Sequence, residues 1–504
     1  MTLLTGCAQS IAGAPLRGET PAAATESAAT SATQWPALPD LPTSTPAVST
    51  TTGTDAGPTE GGVIPDVPEV SDEQVGLLPD APYPDLAITG GTDGDIDRLA
   101  VAALADVFSY YGQVMPEEFG RDYQPPGNLV SYDATDPSGT VCGESTLDYV
   151  NAFYAGYCDT VAWDRGVLLP YLADEIGTLA PAIVMSHEIG HHVQDLLGES
   201  EATPTIVLEQ QADCYAGAYW QWVAAGNSKY YAFNQSEGMR QLLLALLSLK
   251  DEPMTRAEAE AAGSDDNHGS GFDRTYAATL GYTEGAVRCS RIDAAEIDAR
   301  GQEFPFEDDP YQYGNLDITT TTIAGILATV DDYFTEAQPG YVAPDLQMYA
   351  GGVPPTCDGA ATTFPVAYCP GSNTVTYQLA EVKRIGTPAE GWQSANGDFS
   401  AFLLLVSRYA LAAQYAGRAA ITGTDAGLQA LCYAGTWARW MRTPHSDYQL
   451  SPNDLDKAIY QIIQSPLAGS DVDGQTDASI VDRVQAFGYG VTTTITDCFD
   501  TYVS

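Results

Sequence analysis

Apolar and polar positions divide the chain into a first part without periodicity and a longer part that predicts helices and short strands. From about Ala8 to Asp93 the sequence is rich in Pro, Ser, Thr, Ala and Gly, as in ATESAATSATQWPALPDLPTSTPAVSTTTGTDAGPTEGG. This composition cannot bury a core, and it predicts a disordered tether over residues 8–93. Farther along, TLAPAIVMSHEIGHHVQDLLG predicts a helix that has Pro181 near its first turn and Gly198 as a stop signal.

The pattern that follows the tether occurs twice, which predicts a tandem duplication of one fold. The leading helix AALADVFSYY corresponds to TIAGILATVDDYF in the second half. The three other matched segments are VCG…FYAGYC…RGVLLPYL with TCDG…FPVAYC…NTVTYQLA, QADCYAGAYWQW with QALCYAGTWARW, and FDRTYAATLGYTEGAVRC with VDRVQAFGYGVTTTITDC. We therefore expect two domains of common origin, at residues 94–310 and 311–504.

The chain has nine cysteines, and eight of them fall at matched positions of the two repeats. An even number of cysteines is typical of disulfides formed in an oxidising compartment, whereas eight buried free thiols would indicate a cytosolic protein. The repeat predicts two pairs in each half, which are Cys142–Cys158 and Cys214–Cys289 in the first and Cys357–Cys369 and Cys432–Cys498 in the second.

The remaining cysteine, Cys7, ends the sequence LLTGC, which resembles a bacterial lipobox. Residues 1–7 would then be the remnant of a signal peptide, although the charged region and the long apolar core of such a peptide do not precede Cys7. A lipid on Cys7 followed by a tether predicts an exported protein that is anchored to the cell membrane and faces the cell envelope or surface. The anchor is the only membrane contact we expect, because the sequence has no run of about 18 apolar residues.

Charge excludes one class of partner. The chain carries 67 acidic against 20 basic residues, a net charge of −47, so its surface repels nucleic-acid phosphates. Apolar residues make up 44 % of the sequence, as in an ordinary globular protein.

Candidate chemistry is concentrated in MSHEIGHHVQ, which holds three of the five histidines. His187 and His191 are four residues apart, so on a helix their imidazoles project from one face and can share a metal ion. Glu188 lies next to the first of them, within reach of a water on that metal. This is the HExxH pattern of zinc peptidases, with Glu188 as the general base.

A catalytic zinc site needs a third protein ligand and one open position. The segment LEQQADCYAG supplies Glu209 and, one helical turn later, Asp213. Glu209 is the predicted third ligand, and Asp213 is predicted to orient a zinc-bound histidine. His192 is the alternative third ligand, but it points about a third of a turn away from His191.

Taken together, HEIGHHVQ, QADCYAG and NHGSGFDR resemble the bacterial family of neutral zinc metallopeptidases over about Asp95 to Cys289. The resemblance implies an α+β, mainly helical, zincin-like domain with one zinc ion per chain. It also implies that His268 stabilises the oxyanion, although His268 could equally be an ordinary loop residue. The segment from Val167 to Tyr171 matches an edge strand that could pair with an extended peptide.

These features predict an extracytoplasmic endopeptidase that cleaves peptides or proteins through a zinc-bound water and Glu188. The alternative is a non-catalytic surface protein with a structural or vestigial zinc site. The second repeat retains the cysteines but has lost the chemistry, which predicts a pseudopeptidase domain that could bind a protein partner. The replaced positions are His187 by Arg408, Glu188 by Tyr409, His191 by Ala412, Glu209 by Gly427, Asp213 by Leu431 and His268 by Asp477.

Overall fold

A computed structural model of the chain describes residues 70–199, 203–251, 268–300, 315–358, 361–388, 395–442, 448–451 and 453–502. Cys7 and the tether up to residue 69 lie outside the described residues, so their predictions stay open. The described part contains both helices and sheets and is mainly helical, in agreement with the α+β class predicted from the sequence.

The first half consists of a four-stranded sheet packed against a group of helices. Two further short strands, β4 and β5, form a hairpin, and β1 pairs with β8. The strands are β1 Gly76–Leu77, β2 Ile88–Thr89, β3 Asn128–Tyr132, β4 Thr140–Val141, β5 Glu144–Ser145, β6 Ala152–Ala155, β7 Thr160–Asp164 and β8 Tyr231–Ala232. The helices are α1 Asp95–Val114, α2 Leu168–Glu175, α3 Ala180–Leu197, α4 Thr205–Ala224, α5 Glu237–Ser248, α6 Gly271–Glu284, α7 Ala286–Cys289 and α8 Ala294–Arg300.

The main sheet has the strand order β2-β3-β7-β6. β3 runs parallel to β2 and β7, whereas β6 is antiparallel to β7 and forms an edge of the sheet. Helix α3 packs on α1, α4 and β6, so the helix that carries the HExxH pattern lies between the sheet and the helical core.

The segment from Val167 to Tyr171, which the sequence matched to an edge strand, lies at the start of helix α2. Asp164 explains the difference, since its carboxylate accepts hydrogen bonds from the backbone N–H groups of Gly166, Val167 and Leu168. A carboxylate at this position satisfies the N–H groups of a helical first turn. The edge strand of this sheet is β6 instead.

The predicted tether is too long at its C-terminal end. Residues 70–93 are ordered because two short strands tie them to the domain. β1 pairs with β8, and β2 adds to the main sheet beside β3. Asn234 also donates a hydrogen bond to the backbone oxygen of Val70 at 3.1 Å. The boundary at residue 93 was predicted from amino-acid composition, and composition gives no information about such backbone contacts.

The second half has a three-stranded sheet followed by helices in a similar order. Its strands are β9 Asp345–Tyr349, β10 Val366–Cys369 and β11 Thr374–Gln378. Its helices are α9 Thr320–Ala337, α10 Leu379–Ile385, α11 Asp398–Ala416, α12 Thr424–Trp440, α13 Asp454–Gln464, α14 Ile480–Thr492 and α15 Ile495–Tyr502. The sheet order is β10-β11-β9, with β11 parallel to β9 and antiparallel to β10.

Both halves contain the same close helix crossing. In the first half, a Cβ on Gly217 of α4 would collide with the carbonyl oxygen of Ala278 on α6, and one on Gly281 would collide with that of Cys214. In the second half, Gly435 of α12 and Gly490 of α14 approach the carbonyl oxygens of the other helix in the same way, at Phe487 and Cys432. Each crossing therefore requires glycine on both helices.

Each crossing also carries a disulfide nearby. The structure contains the four disulfide bonds that were predicted from the matched cysteines of the two repeats. They are Cys142–Cys158, Cys214–Cys289, Cys357–Cys369 and Cys432–Cys498. In the first half, Cys214–Cys289 links α4 to α7, and in the second half Cys432–Cys498 links α12 to α15.

The two halves share a buried contact. Helices α5 and α6 of the first half pack against α13 and α14 of the second. At its centre the rings of Phe272 and Phe487 meet edge-on, 6.3 Å apart, and the ring of Tyr276 lies against Gly488.

Helix α11 is the one helix in the described part of the chain that is long and apolar enough to cross a membrane, by length and composition alone. Its 18-residue window has a mean hydropathy of 1.2, but 89 % of that window is buried inside the protein. The helix packs against α12, α13 and β10, which are the contacts of a core helix.

Candidate metal centre

The helix α3 brings its histidines to α4 through a close backbone approach. A Cβ on Gly190 would lie only 2.8 Å from the Cα of Ala212, so α3 and α4 pack this tightly because Gly190 has no side chain. His187 and His191 flank Gly190 on α3, and Glu209 lies one turn before Ala212 on α4. The helix crossing therefore places the three side chains at one point.

Three donor atoms meet at that point. His187 Nε2 lies 3.1 Å from His191 Nε2. The Glu209 carboxylate faces both rings, with Oε2 at 3.4 Å from His187 Nε2 and Oε1 at 3.4 Å from His191 Nε2. All three side chains are buried. The three predicted ligands are thus brought together as a possible metal site.

The hydrogen bonds on the far side of each ring fix its tautomer. His187 Nδ1 donates to Asp213 Oδ1 at 2.7 Å, and His191 Nδ1 donates to Gln194 Oε1 at 3.0 Å. The amide orientation of Gln194 is set by its Nε2, which donates to the carbonyl oxygen of Leu208 at 2.6 Å. Because both Nδ1 atoms carry the proton, both Nε2 atoms present lone pairs to the same point.

Two imidazole nitrogens and a carboxylate that converge on one buried point are a donor set that zinc accepts. Tetrahedral zinc, with bonds of about 2.0–2.1 Å to nitrogen and oxygen, separates its ligand atoms by about 3.3 Å. The two imidazole nitrogens, 3.1 Å apart, are close to this spacing, and each of them lies 3.4 Å from a different carboxylate oxygen of Glu209. The residues present therefore suit zinc, with three protein ligands.

The electrostatics favour a charged Glu209. Burial alone would raise the pKa of this carboxyl, but the two imidazoles beside it hold its pKa well below the usual range. The guanidinium of Arg274 adds positive charge nearby, with Nη1 at 3.8 Å from Glu209 Oε2 and Nη2 donating to Asp213 Oδ1 at 2.9 Å.

Glu188 lies beside the edge strand β6. Its Oε2 accepts a hydrogen bond from the backbone N–H of Tyr154 at 3.0 Å, and the side chain is buried. This bond fixes one oxygen of the carboxylate. The residue therefore stands next to the first histidine of the metal site and against the strand at the sheet edge.

The structure separates His192 from the ligands. Its Nε2 lies 2.7 Å from the carbonyl oxygen of Gln124, and its Nδ1 is 3.9 Å from Asp159. Burial lowers the pKa of His192, so the ring stays neutral in this position. His192 therefore lies outside the group of side chains that could hold a metal, which consists of His187, His191 and Glu209.

His268 lies just before helix α6, in contact with Asp251. Its backbone N–H donates to Asp251 Oδ2 at 2.8 Å, and its Nδ1 is 3.2 Å from Asp251 Oδ1. This pairing fixes the ring, and a role for His268 at an oxyanion stays a prediction.

Two residues of the site were not singled out from the sequence. Gln194 follows His191 by three positions, so a helical reading of HEIGHHVQ could have placed it beside that ring. Arg274 comes from a helix 61 residues away from Asp213. The sequence signal for it is the Asp-Arg pair near the start of the last matched segment of both repeats.

Comparisons with known proteins find relatives over part of the chain. The chain is 31 % identical over 187 residues to the uncharacterized proteins Mb2605 of Mycobacterium bovis and Rv2575 of Mycobacterium tuberculosis. The match covers 32 % of this chain and 60 % of either relative, so the chain spans less than two thirds of their length. The uncharacterized protein YpfJ of Escherichia coli is 33 % identical over 135 residues, 23 % of this chain and 44 % of YpfJ.

No solved structure matches the chain significantly. Residues 85–292, which contain every ligand named above together with Glu188 and Arg274, match the model of the family described as "Putative neutral zinc metallopeptidase".

Proposed function

We propose that the protein is an extracytoplasmic zinc-dependent endopeptidase. The observation that carries the proposal is the convergence of His187, His191 and Glu209, with separations of 3.1–3.4 Å and Glu188 alongside. Three protein ligands are typical of catalytic zinc sites, whereas structural sites have four.

Zinc held by these residues would polarise a peptide carbonyl and lower the pKa of a water molecule towards neutrality. Glu188 would then accept a proton from the water and later deliver it to the leaving amine. Its bond from Tyr154 N–H holds one oxygen in place, so the carboxylate is oriented before the substrate binds.

A substrate peptide would lie in extended form beside β6, the edge strand that reaches Glu188. Main-chain hydrogen bonds to an edge strand orient an extended peptide and leave its side chains to determine specificity. The residue that contacts Glu188, Tyr154, is on this strand. We therefore infer a peptide or protein substrate.

The alternative is a non-catalytic surface protein with a structural or vestigial zinc site. One observation favours it, because His187, Glu188 and Glu209 are all 0 % exposed. The full set of ligands, their tautomers and the adjacent Glu188 favour catalysis instead. A peptide-library cleavage assay with and without a chelator decides between the two, since hydrolysis that zinc restores is expected only of the peptidase.

We propose that the second half is a pseudopeptidase repeat of the first. Three observations support common origin: the parallel and antiparallel pairing of β9, β11 and β10, the glycine crossing, and the disulfide between α12 and α15. The region that corresponds to the metal site is filled by Arg408, which donates to the carbonyl oxygens of Leu467, Ser470 and Asp471. Gly427, which replaces Glu209, packs directly against Gly469 and Ser470.

We further propose that the protein is exported and held at the membrane by a lipid on Cys7. The four disulfides support an oxidising compartment. Mass spectrometry of the membrane fraction tests this, since a lipidated Cys7 is the expected N-terminal residue of the mature chain.

A further inference from the structure

A carboxylate from the second half holds the start of the helix that carries Arg274. Asp456 lies on α13, and its Oδ1 accepts a hydrogen bond from the backbone N–H of Phe272 at 2.8 Å. Asp456 is 1 % exposed, and Lys250 of the first half lies 3.8 Å from its other oxygen. Burial raises the pKa of Asp456, while Lys250 and the backbone N–H groups of Phe272 and Gly271 counteract this rise.

Arg274 follows Phe272 by two residues, within the first turn of α6. Its Nη2 donates to Asp213 Oδ1 at 2.9 Å, and the same oxygen accepts from His187 Nδ1 at 2.7 Å. Its Nη1 donates to the carbonyl oxygen of Leu249 at 3.0 Å. Arg274 is fully buried, so its position follows the position of the backbone at the start of α6.

The second half also fixes the later turns of α6. Gln485 of α14 donates from its amide nitrogen to the carbonyl oxygen of Thr279 and to the hydroxyl of Thr283, at 3.1 and 2.9 Å. The ring of Tyr276 packs on Gly488. These contacts hold the later turns of the helix, whereas Asp456 contacts its first turn, which the Ser270 hydroxyl also caps.

We propose that the second half completes the metal site of the first half, with Asp456 as a positioning residue that acts through Arg274. The inference rests on the proposed function for the identity of the metal. The first N–H groups of a helix have no hydrogen-bond partner within the helix. A carboxylate at this end accepts hydrogen bonds from them, and its negative charge is attracted to the positive end of the helix dipole. Without Asp456, the first turn of α6 would shift and Arg274 would lose its alignment with Asp213.

The decisive quantity is the affinity of the full-length protein for zinc, measured by competition with a chromophoric chelator. Replacing a group that orients a metal ligand typically weakens metal binding by about 10- to 100-fold. We expect Asp456→Ala to weaken zinc binding about tenfold, although Asp456 contacts none of the ligands. Asp500→Asn, which removes an exposed carboxylate from the same half, is the matched control and should bind zinc as the wild type does.

A double-mutant cycle tests the route. Arg274→Gln should weaken zinc binding by itself, and Asp456→Ala should add little in the Arg274→Gln background if the two act in series. Fully additive losses of zinc affinity in the double variant would contradict the proposal. A wild-type zinc affinity in Asp456→Ala together with a lower melting temperature would also contradict it, because that result indicates a purely structural role.

Asp456→Asn keeps an acceptor for Phe272 N–H but removes the charge. This variant replaces Asp456→Ala in the zinc-affinity measurement if Asp456→Ala does not fold. We expect a smaller loss of zinc affinity, on the order of threefold, and an unchanged affinity would overturn the proposal. The measurement does not depend on peptide cleavage. If the wild type cleaves nothing, the proposed function fails while the zinc result still decides the role of Asp456.

Discussion

Asp213 accepts a hydrogen bond from His187 Nδ1 at 2.7 Å, on the side of the ring opposite to the metal-facing nitrogen. Both side chains are completely buried, and Arg274 donates a second hydrogen bond to the same carboxylate oxygen at 2.9 Å. The ring is therefore held in one tautomer and one orientation before a metal binds. We therefore expect Asp213 to contribute to zinc affinity although it is not one of the three candidate ligands.

Replacing Asp213 with Asn should weaken zinc binding by roughly 10- to 100-fold. The neutral amide is a poorer acceptor for His187 Nδ1–H, and it leaves the buried charge of Arg274 without its closest carboxylate. Zinc competition measures the effect. Wild-type affinity in a folded Asp213→Asn protein would contradict the orienting role.

Gln194, the neutral hydrogen-bond partner of His191, should contribute less to zinc affinity than Asp213 does. Gln194 accepts from His191 Nδ1 through an amide oxygen, and hydrogen bonds between neutral groups are about half as strong as charge-assisted ones. We expect Gln194→Ala to lower zinc affinity less than Asp213→Asn does in the same competition assay. The reverse order would show that charge does not determine which histidine is held more firmly.

Arg408 should stabilise the second half and have no part in metal binding. Burial lowers the pKa of this guanidinium to about 10, and carbonyl oxygens of three residues accept its hydrogen bonds. Arg408→Met leaves those carbonyls unpaired and should cost about 3 kcal/mol in free energy of unfolding. Urea unfolding measures the loss, and zinc stoichiometry should stay at the wild-type value.

Stability in the second half should depend on pH through Asp331. Burial raises the pKa of Asp331 to about 6, although a hydrogen bond from the Tyr341 hydroxyl opposes the rise. The folded protein therefore holds this proton more tightly than the unfolded chain, whose ordinary value is 3.8. The stabilisation from the protonated form is complete below about pH 4 and is lost as the pH rises through 6.

Asp331→Asn mimics the protonated carboxyl and keeps an acceptor for Tyr341. Its melting temperature should equal that of the wild type near pH 4 and exceed it above pH 6. Melting curves from pH 4 to 8 check this, with Asp500→Asn as the control. A difference that is constant across this range would contradict the assignment to Asp331.

Local spacing predicted the candidate ligands because helical geometry places residues four apart on one face of a helix. Residues four apart on α3, His187 and His191, share a face, and Glu209 and Asp213 are related in the same way on α4. What the spacing could not predict was contact between distant segments. Arg274 reaches the site from α6, and the pairing of β2 with β3 orders residues that composition assigns to a tether.

Short apolar segments were ambiguous for a different reason. VLLPYL reads equally well as a strand or as a helix, and the Asp164 carboxylate that caps α2 decides between them. The sequence also did not predict the proposed role of the second half. Asp456 belongs to none of the motifs, and its contact with α6 joins residues that are far apart in the sequence.

The proposed function requires Glu188 to transfer a proton at a zinc site to which it contributes no ligand. Glu188→Gln preserves the size of the side chain and an acceptor for Tyr154 N–H, but it removes the carboxylate that can accept a proton. Zinc content and peptide turnover should be measured on the same samples of wild type and variant. The account predicts one zinc per chain in both proteins and turnover in the variant reduced at least about 100-fold. Wild-type turnover in zinc-loaded Glu188→Gln would contradict it.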